Sequence, residues 1–162
     1  MASADAPNIA FVTMVRDDDR FLKLWVNHYA AMVERKHLFI LFDGFDQKPA
    51  PFTKGCQTIF APQIPFGKGW DDKRWEMLTH FANALLARFD VVVLNDVDEL
   101  LVTDPASGMS LVEAISAGRH HPSTTPFAVE IIHRTDLEPI AIDFKKPILS
   151  QRKYVRVNSI YA

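Results

Sequence analysis

Three carboxylates, Asp96, Asp98 and Glu99, follow directly on the apolar run Val91-Val92-Val93-Leu94 and the amide Asn95. A short Val and Leu run without alternation reads as a β-strand covered on both faces, and its carboxyl end is where open α/β sheets place their ligands. In an extended chain residues two apart share a side, so Asp96 and Asp98 are expected to converge while Val97 turns back to the sheet. Two carboxylates that close repel unless a positive partner joins them. A hard divalent cation that also takes phosphate oxygens is the usual partner. The structural alternative is an acidic turn in solvent, with Asp98 or Asp104 capping a following helical turn. The apolar strand in front of the cluster favours the functional side.

A second group with chemistry in it opens the segment Asp71-Asp72-Lys73-Arg74. Lys73 and Arg74 fall in the first turn of a helix, where a cation opposes the helix dipole, so helix stability does not account for them and a bound anion would. The anion is expected at Arg74 more than at Lys73. Other chemistry-bearing residues read as structural. Asp17-Asp18-Asp19 serve as cap and dipole-compensating acids, and His28 lies on an apolar helix stripe as a packed histidine. His120 and His121 are vicinal and cannot both face one metal from a regular element. Gly67-Lys68-Gly69-Trp70 lacks the spacing of a phosphate-binding loop and reads as a mobile loop. Cys56 is alone, flanked by a strand-edge pattern, and reads as a structural thiol compatible with a reducing compartment.

The elements that must position these groups follow from periodicity. Residues 9–15 and 37–42 are apolar, β-prone runs, and between them Phe21, Leu24, Trp25, His28, Tyr29 and Met32 keep helical spacing, which gives a β-α-β unit. Residues 57–61 read as a third strand closed by Pro62, Pro65 and Gly67. From Asp71, the residues Trp75, Leu78, Phe81, Ala82, Leu85, Leu86 and Phe89 predict a helix that delivers the chain to the strand at 91–95. A helix at 111–117, a strand at 127–133 and a strand-like stretch at 148–161 follow. The expected fold is a three-layer α/β/α domain with a mainly parallel sheet, the strand at 91–95 in its centre, and residues 1–162 forming one domain.

With 162 residues, 48% hydrophobic and 23% charged, the composition is that of an ordinary globular domain. A net charge of −2 offers no basic field for nucleic acid. No run reaches the ~18 apolar residues of a membrane span, and no apolar leader follows basic residues at the start, so a cytoplasmic protein is expected.

Met14-Val15-Arg16, Phe42-Asp43-Gly44, Trp70-Asp71-Asp72-Lys73-Arg74 and Asn95-Asp96-Val97-Asp98-Glu99 together make the chain resemble a family 2-type glycosyltransferase of the GT-A fold. The similar subgroup has the central motif D-x-D-E and includes the majastridin-like proteins. The resemblance implies that Asp96 and Asp98 hold Mn²⁺ or Mg²⁺ against the diphosphate of a nucleoside diphosphate sugar, of uridine type. It also implies that Arg16, Asp17 and Asp43 line the base and ribose pocket. The metal would act as Lewis acid on the leaving diphosphate, with Arg74 as a second cation, and a carboxylate would take the proton of an unknown acceptor. Glu130 and Asp136 are the candidates for that base. Such enzymes usually run longer, so a C-terminally truncated or minimal acceptor side is expected, and a non-catalytic nucleotide-binding module is the main alternative. A less favoured one is a haloacid dehalogenase-type phosphatase with Asp96 as nucleophile, but its motif continues Gly-Thr where Glu99-Leu100 stand here.

Overall fold

The computed structural model of the protein describes residues 7–157. The chain divides into two compact units, residues 1–121 and 122–162, and each is described by itself.

The first unit is a parallel sheet with helices on both faces. Its elements run β1 (Ile9–Val15), α1 (Asp19–Ala30), β2 (Leu38–Asp43), β3 (Gln57–Ala61), α2 (Trp70–Leu85), β4 (Val91–Leu94) and α3 (Leu111–Gly118). All three strand pairings are parallel, and the order across the sheet is β3-β2-β1-β4. Alternate side chains of β1 go to opposite layers, as strand geometry requires. Ile9, Phe11 and Val15 join Leu22, Trp25, Val26 and Tyr29 of α1, and Leu111, Val112 and Ile115 of α3 pack against that layer. Val12 and Met14 join Leu78 of α2, with Trp75, Phe81 and Leu85 packed alongside. The three-layer α/β/α arrangement with a parallel sheet thus follows from apolar runs long enough to feed both faces.

Local signals set the helix ends. Asp18 caps α1 by accepting the Phe21 N–H at 3.0 Å, and the buried stripe behind it is Leu22, Trp25, Val26 and Tyr29. A reciprocal capping box between Ser110 and Glu113 starts α3. Gly69 takes a left-handed conformation, φ 74°, immediately before α2, which glycine tolerates without steric cost.

One expectation about the sheet is corrected. The strand Val91–Leu94 pairs only with β1 and stands at the edge of the four-stranded sheet, not in its centre. Its four residues are half-buried: Val91 and Val93 pack against the α1 layer, Val92 and Leu94 against the α2 layer. An unalternating apolar run reports cover on both faces, and that is what β4 has. It carries no information about neighbours at both edges.

The second unit holds a short antiparallel pair, β5 (Val129–Ile131) and β6 (Val155–Val157). The strand expected at 127–133 is confined to three residues. The stretch expected to be strand-like begins as a 3₁₀ turn at Ile148–Ser150 and reaches β6, while positions 158–161 lie outside the described residues. Val129 and Ile131 face their partners Val157 and Val155 on one side of the ribbon, and Glu130 pairs with Arg156 on the other.

Candidate functional site

The carboxyl ends of β1, β2 and β4, three adjacent strands, carry most of the candidate residues. Arg16 and Asp17 follow β1, Asp43 ends β2, and Asp96 and Asp98 follow β4. The first two groups are locked together. The Arg16 guanidinium donates to the Asp43 carbonyl and to both carboxylate oxygens of Asp46, at 3.1 and 2.8 Å. Hydrogen bonding to Arg16 is the main reason the Asp46 pKa lies below its ordinary value. Asp17 sits at φ 53°, unusual for a residue with a side chain, and Gln47 holds it there by accepting its N–H at 3.0 Å and donating to its carboxylate at 2.9 Å. Gly44 stands at φ 128°, a conformation that L side chains rarely adopt, and a Cβ there would also push the Asp46 Oδ1 and Arg16 Nη1 ends aside. Asp43 is 4% exposed and its Oδ1 accepts the Ile64 N–H at 2.9 Å, which draws the segment after β3 over the end of β2.

At the other end of that segment, Arg74 of α2 meets Asp96. Its guanidinium forms an ion pair with Asp96 through both terminal nitrogens and bonds Asp71 Oδ1 through Nε and Nη2, at 3.0 and 2.8 Å. The rings of Trp70 and Trp75 lie 5.3 and 4.7 Å from its carbon centre. Burial disfavours the charge of Arg74, which is 9% exposed, and the carboxylates of Asp96 and Asp71 overcome this and raise its pKa. The anion expected at Arg74 is therefore supplied by the protein, and it is the first aspartate of the acidic motif. Lys73 is exposed.

The acidic motif itself is a turn. Glu99 N–H donates to the Asp96 carbonyl at 3.1 Å, so strand alternation ends with β4 and does not by itself bring Asp96 and Asp98 to one side. Val97 packs against the core, while Asp98 and Glu99 are exposed. Although Glu99 is accessible as a residue, its pKa is raised, first by the protein packed around its carboxyl and then by the charges of Asp96 and Asp98. Asp104 caps a 3₁₀ turn by accepting the Ala106 N–H at 2.9 Å, whereas Asp98 caps no helix.

Sequence reasoning missed what holds this turn from behind. Asn95, 7% exposed, accepts the indole N–H of Trp25 at 3.4 Å, and its amide donates to the Glu99 carbonyl, to the Asp96 carbonyl at 3.1 Å and to the Tyr29 hydroxyl at 3.3 Å. Tyr29 also accepts the Leu101 N–H at 3.0 Å, and the Leu101 carbonyl lies 2.8 Å from His28 Nε2, which must carry the proton. Burial raises the Tyr29 pKa and keeps the hydroxyl neutral. The available signal was the spacing of Trp25, His28 and Tyr29, three polar-tipped rings one helical turn apart.

The two base candidates belong to the second unit and are engaged there. Glu130 is paired with Arg156, and Asp136 bonds Arg134 at 2.9 and 2.7 Å, which lowers the Asp136 pKa. Cys56 is half-buried, packs on the α1 layer, and burial raises its pKa, which suits a structural thiol.

Among the described residues no group of three or more His, Cys, Asp or Glu side chains is placed to hold a metal ion. A donor set of Asp96 and Asp98 suits Mg²⁺ or Mn²⁺ only when phosphate oxygens and water complete the shell, which is how such ions are bound beside nucleotides. No helix among the described residues is long and apolar enough to cross a membrane. Comparison with protein-family models, with curated proteins and with solved structures gives no match.

Proposed function

We propose that the first unit binds a nucleoside diphosphate sugar, of uridine type, together with Mn²⁺ or Mg²⁺, and that the protein is a metal-dependent glycosyltransferase of the GT-A, family 2-like kind. The observation that carries this is the placement of Arg16, Asp17 and Asp43 on one side, and Asp96 with Arg74 on the other, at the carboxyl ends of three adjacent parallel strands. That edge is where open α/β sheets bind ligands. The nucleoside would lie against the Arg16 and Asp43 side, and the cation, shared by Asp96, Asp98 and the diphosphate, would offset the charge that develops on the leaving group. Arg74 sits where it can add to that stabilisation. A cytoplasmic location is the accompanying expectation, and a single cysteine is compatible with a reducing compartment.

A specific observation favours a second function, a nucleotide-binding module without transferase activity. Asp136 and Glu130 are both engaged by arginines, and hydrogen bonding to Arg134 lowers the Asp136 pKa, which makes Asp136 a poor base.

Calorimetry with uridine diphosphate, with and without Mn²⁺, tests the common core of both functions. Binding that requires the metal is expected, and binding of no nucleoside diphosphate in the presence of Mn²⁺ refutes both. Release of free sugar or transfer to an added acceptor then separates transferase from module.

A further inference from the structure

The turn that carries Asp96, Asp98 and Glu99 has no regular secondary structure, yet its backbone is held at several points by side chains from behind. One amide, that of Asn95, donates to two carbonyls of the turn, those of Asp96 and Glu99. The far end of the turn, Leu101, is held through both its N–H and its carbonyl by Tyr29 and His28. Trp25 fixes the orientation of the Asn95 amide by donating to its oxygen, which leaves the nitrogen aimed at the turn. Trp25 and Tyr29 are themselves immobilised in the apolar layer, Tyr29 stacked on Phe11 of β1 with ring centres 4.2 Å apart. A buried polar network whose members satisfy one another in this way specifies one geometry.

We propose that Trp25, His28 and Tyr29 of α1 act through Asn95 and Leu101 as positioning residues for the cation, setting where the carboxylates of Asp96 and Asp98 stand. This rests on the cation-binding function proposed above. Trp25, His28, Tyr29 and Asn95 are engaged with one another and with the backbone of the turn, while Asp98 and Glu99 are exposed. The contribution of the four engaged side chains is preorganisation: without these hydrogen bonds the turn backbone that carries Asp96 and Asp98 samples other conformations before the metal arrives.

The test is a titration of Mn²⁺ into protein with uridine diphosphate, with free Mn²⁺ read by electron paramagnetic resonance at a temperature where circular dichroism shows every variant folded. Tyr29→Phe keeps the ring on Phe11 and removes only the hydroxyl, and His28→Ala removes the donor to Leu101. Each is expected to weaken Mn²⁺ binding about 10- to 100-fold, the usual effect of losing a group that orients a metal ligand. His28→Gln, which can still donate a hydrogen bond, should recover part of the loss. Leu85→Ala, at the far end of α2, loosens the α2 layer and should leave Mn²⁺ affinity unchanged. Full affinity in Tyr29→Phe and His28→Ala overturns the proposal and leaves the cation site standing, as does an equal loss in Leu85→Ala. Wild-type protein that binds no Mn²⁺ overturns the cation site and this proposal together.

Discussion

Different forces organise the interior of each unit. Every buried apolar residue of the described chain lies between Ile9 and Leu78, in the first unit, whereas the one buried residue among the described residues of the second unit is Arg152. In the first unit, β1 has all seven residues buried and sends side chains to both layers. In the second, Phe127, Leu137, Ile140 and Leu149 are exposed, and hydrogen bonds do the organising. Arg152 donates to the carbonyls of Ile140 and Gln151, and Gln151 in turn donates to those of Asp143, Lys146 and Pro147. An apolar layer tolerates exchange of similar volumes, because its attraction is non-directional. A polar clasp does not, since each lost partner strands a buried donor or acceptor.

The largest expected effect breaks the first half of this comparison. Phe11→Ala removes a fully buried ring from the central strand and its stacking on Tyr29, and should cost about 3–5 kcal/mol in urea unfolding. Ile140→Ala in the second unit, where the side chain is exposed, should stay within about 0.5 kcal/mol. Comparable losses from the two would show that the second unit buries its apolar residues after all. Next comes Arg152→Met, which fills similar volume without charge. Glu138 would then keep a side chain only 11% exposed, with the Arg152 Nε that stands 3.9 Å from its Oε2 gone, and a loss of about 3 kcal/mol is expected. Protection of the Lys153 amide, bonded to Glu138 at 2.9 Å, measures it by hydrogen exchange.

Within the first unit the two aspartates of the motif are no longer equivalent. Asp96→Asn leaves Arg74 with Asp71 alone and should cost about 2 kcal/mol, the scale of a hydrogen bond to a charged group, while also removing Mn²⁺-dependent nucleotide binding. Asp98→Asn should remove the binding and leave the urea midpoint level, since Asp98 is exposed and caps nothing. Affinity and midpoint measured on both variants decide it. Two variants that lose stability and keep nucleotide affinity would make the motif a purely structural turn.

How much of this was legible beforehand depends on the range of the interaction. Residues 9–15 and 57–61 match their strands end to end, because a strand in a two-layered core needs only a local run of β-prone residues. The edge position of Val91–Leu94 was not legible, since strand order is decided by partners far away in sequence. Arg74 shows both sides of this: its place against the helix dipole called for an anion, but nothing local pointed to Asp96. Asn95 was invisible altogether, an amide whose four partners, Trp25, Tyr29, Asp96 and Glu99, include two contributed by a helix some seventy residues earlier. The second unit was read least well. Its strands are three residues long, and hydrogen bonds from Arg152 and Gln151 leave no periodic trace.

The smallest effect is a difference in sign between the units under acid. Glu99, in the first, has its pKa raised above the ordinary 4.5 by the protein around it and by Asp96 and Asp98. Between 4.5 and its folded value the native state binds more protons than the unfolded chain, so stability falls as pH rises through that window and is regained on acidification. Asp136, in the second, has its pKa lowered below the ordinary 3.8 by its hydrogen bond to Arg134. There the unfolded chain binds more protons, so the contribution is present above 3.8 and is lost as pH falls towards the folded value. Carboxyl carbon shifts followed by NMR should therefore place the Glu99 midpoint above, and the Asp136 midpoint below, those of the same residues in unfolded peptides. Glu99→Gln should flatten the first slope and leave the second untouched. Added Mn²⁺ with uridine diphosphate should pull the Glu99 midpoint down, because a bound cation offsets the two neighbouring charges that hold it up. A Glu99 midpoint that ignores the metal would place the cation away from the Asp96 and Asp98 turn.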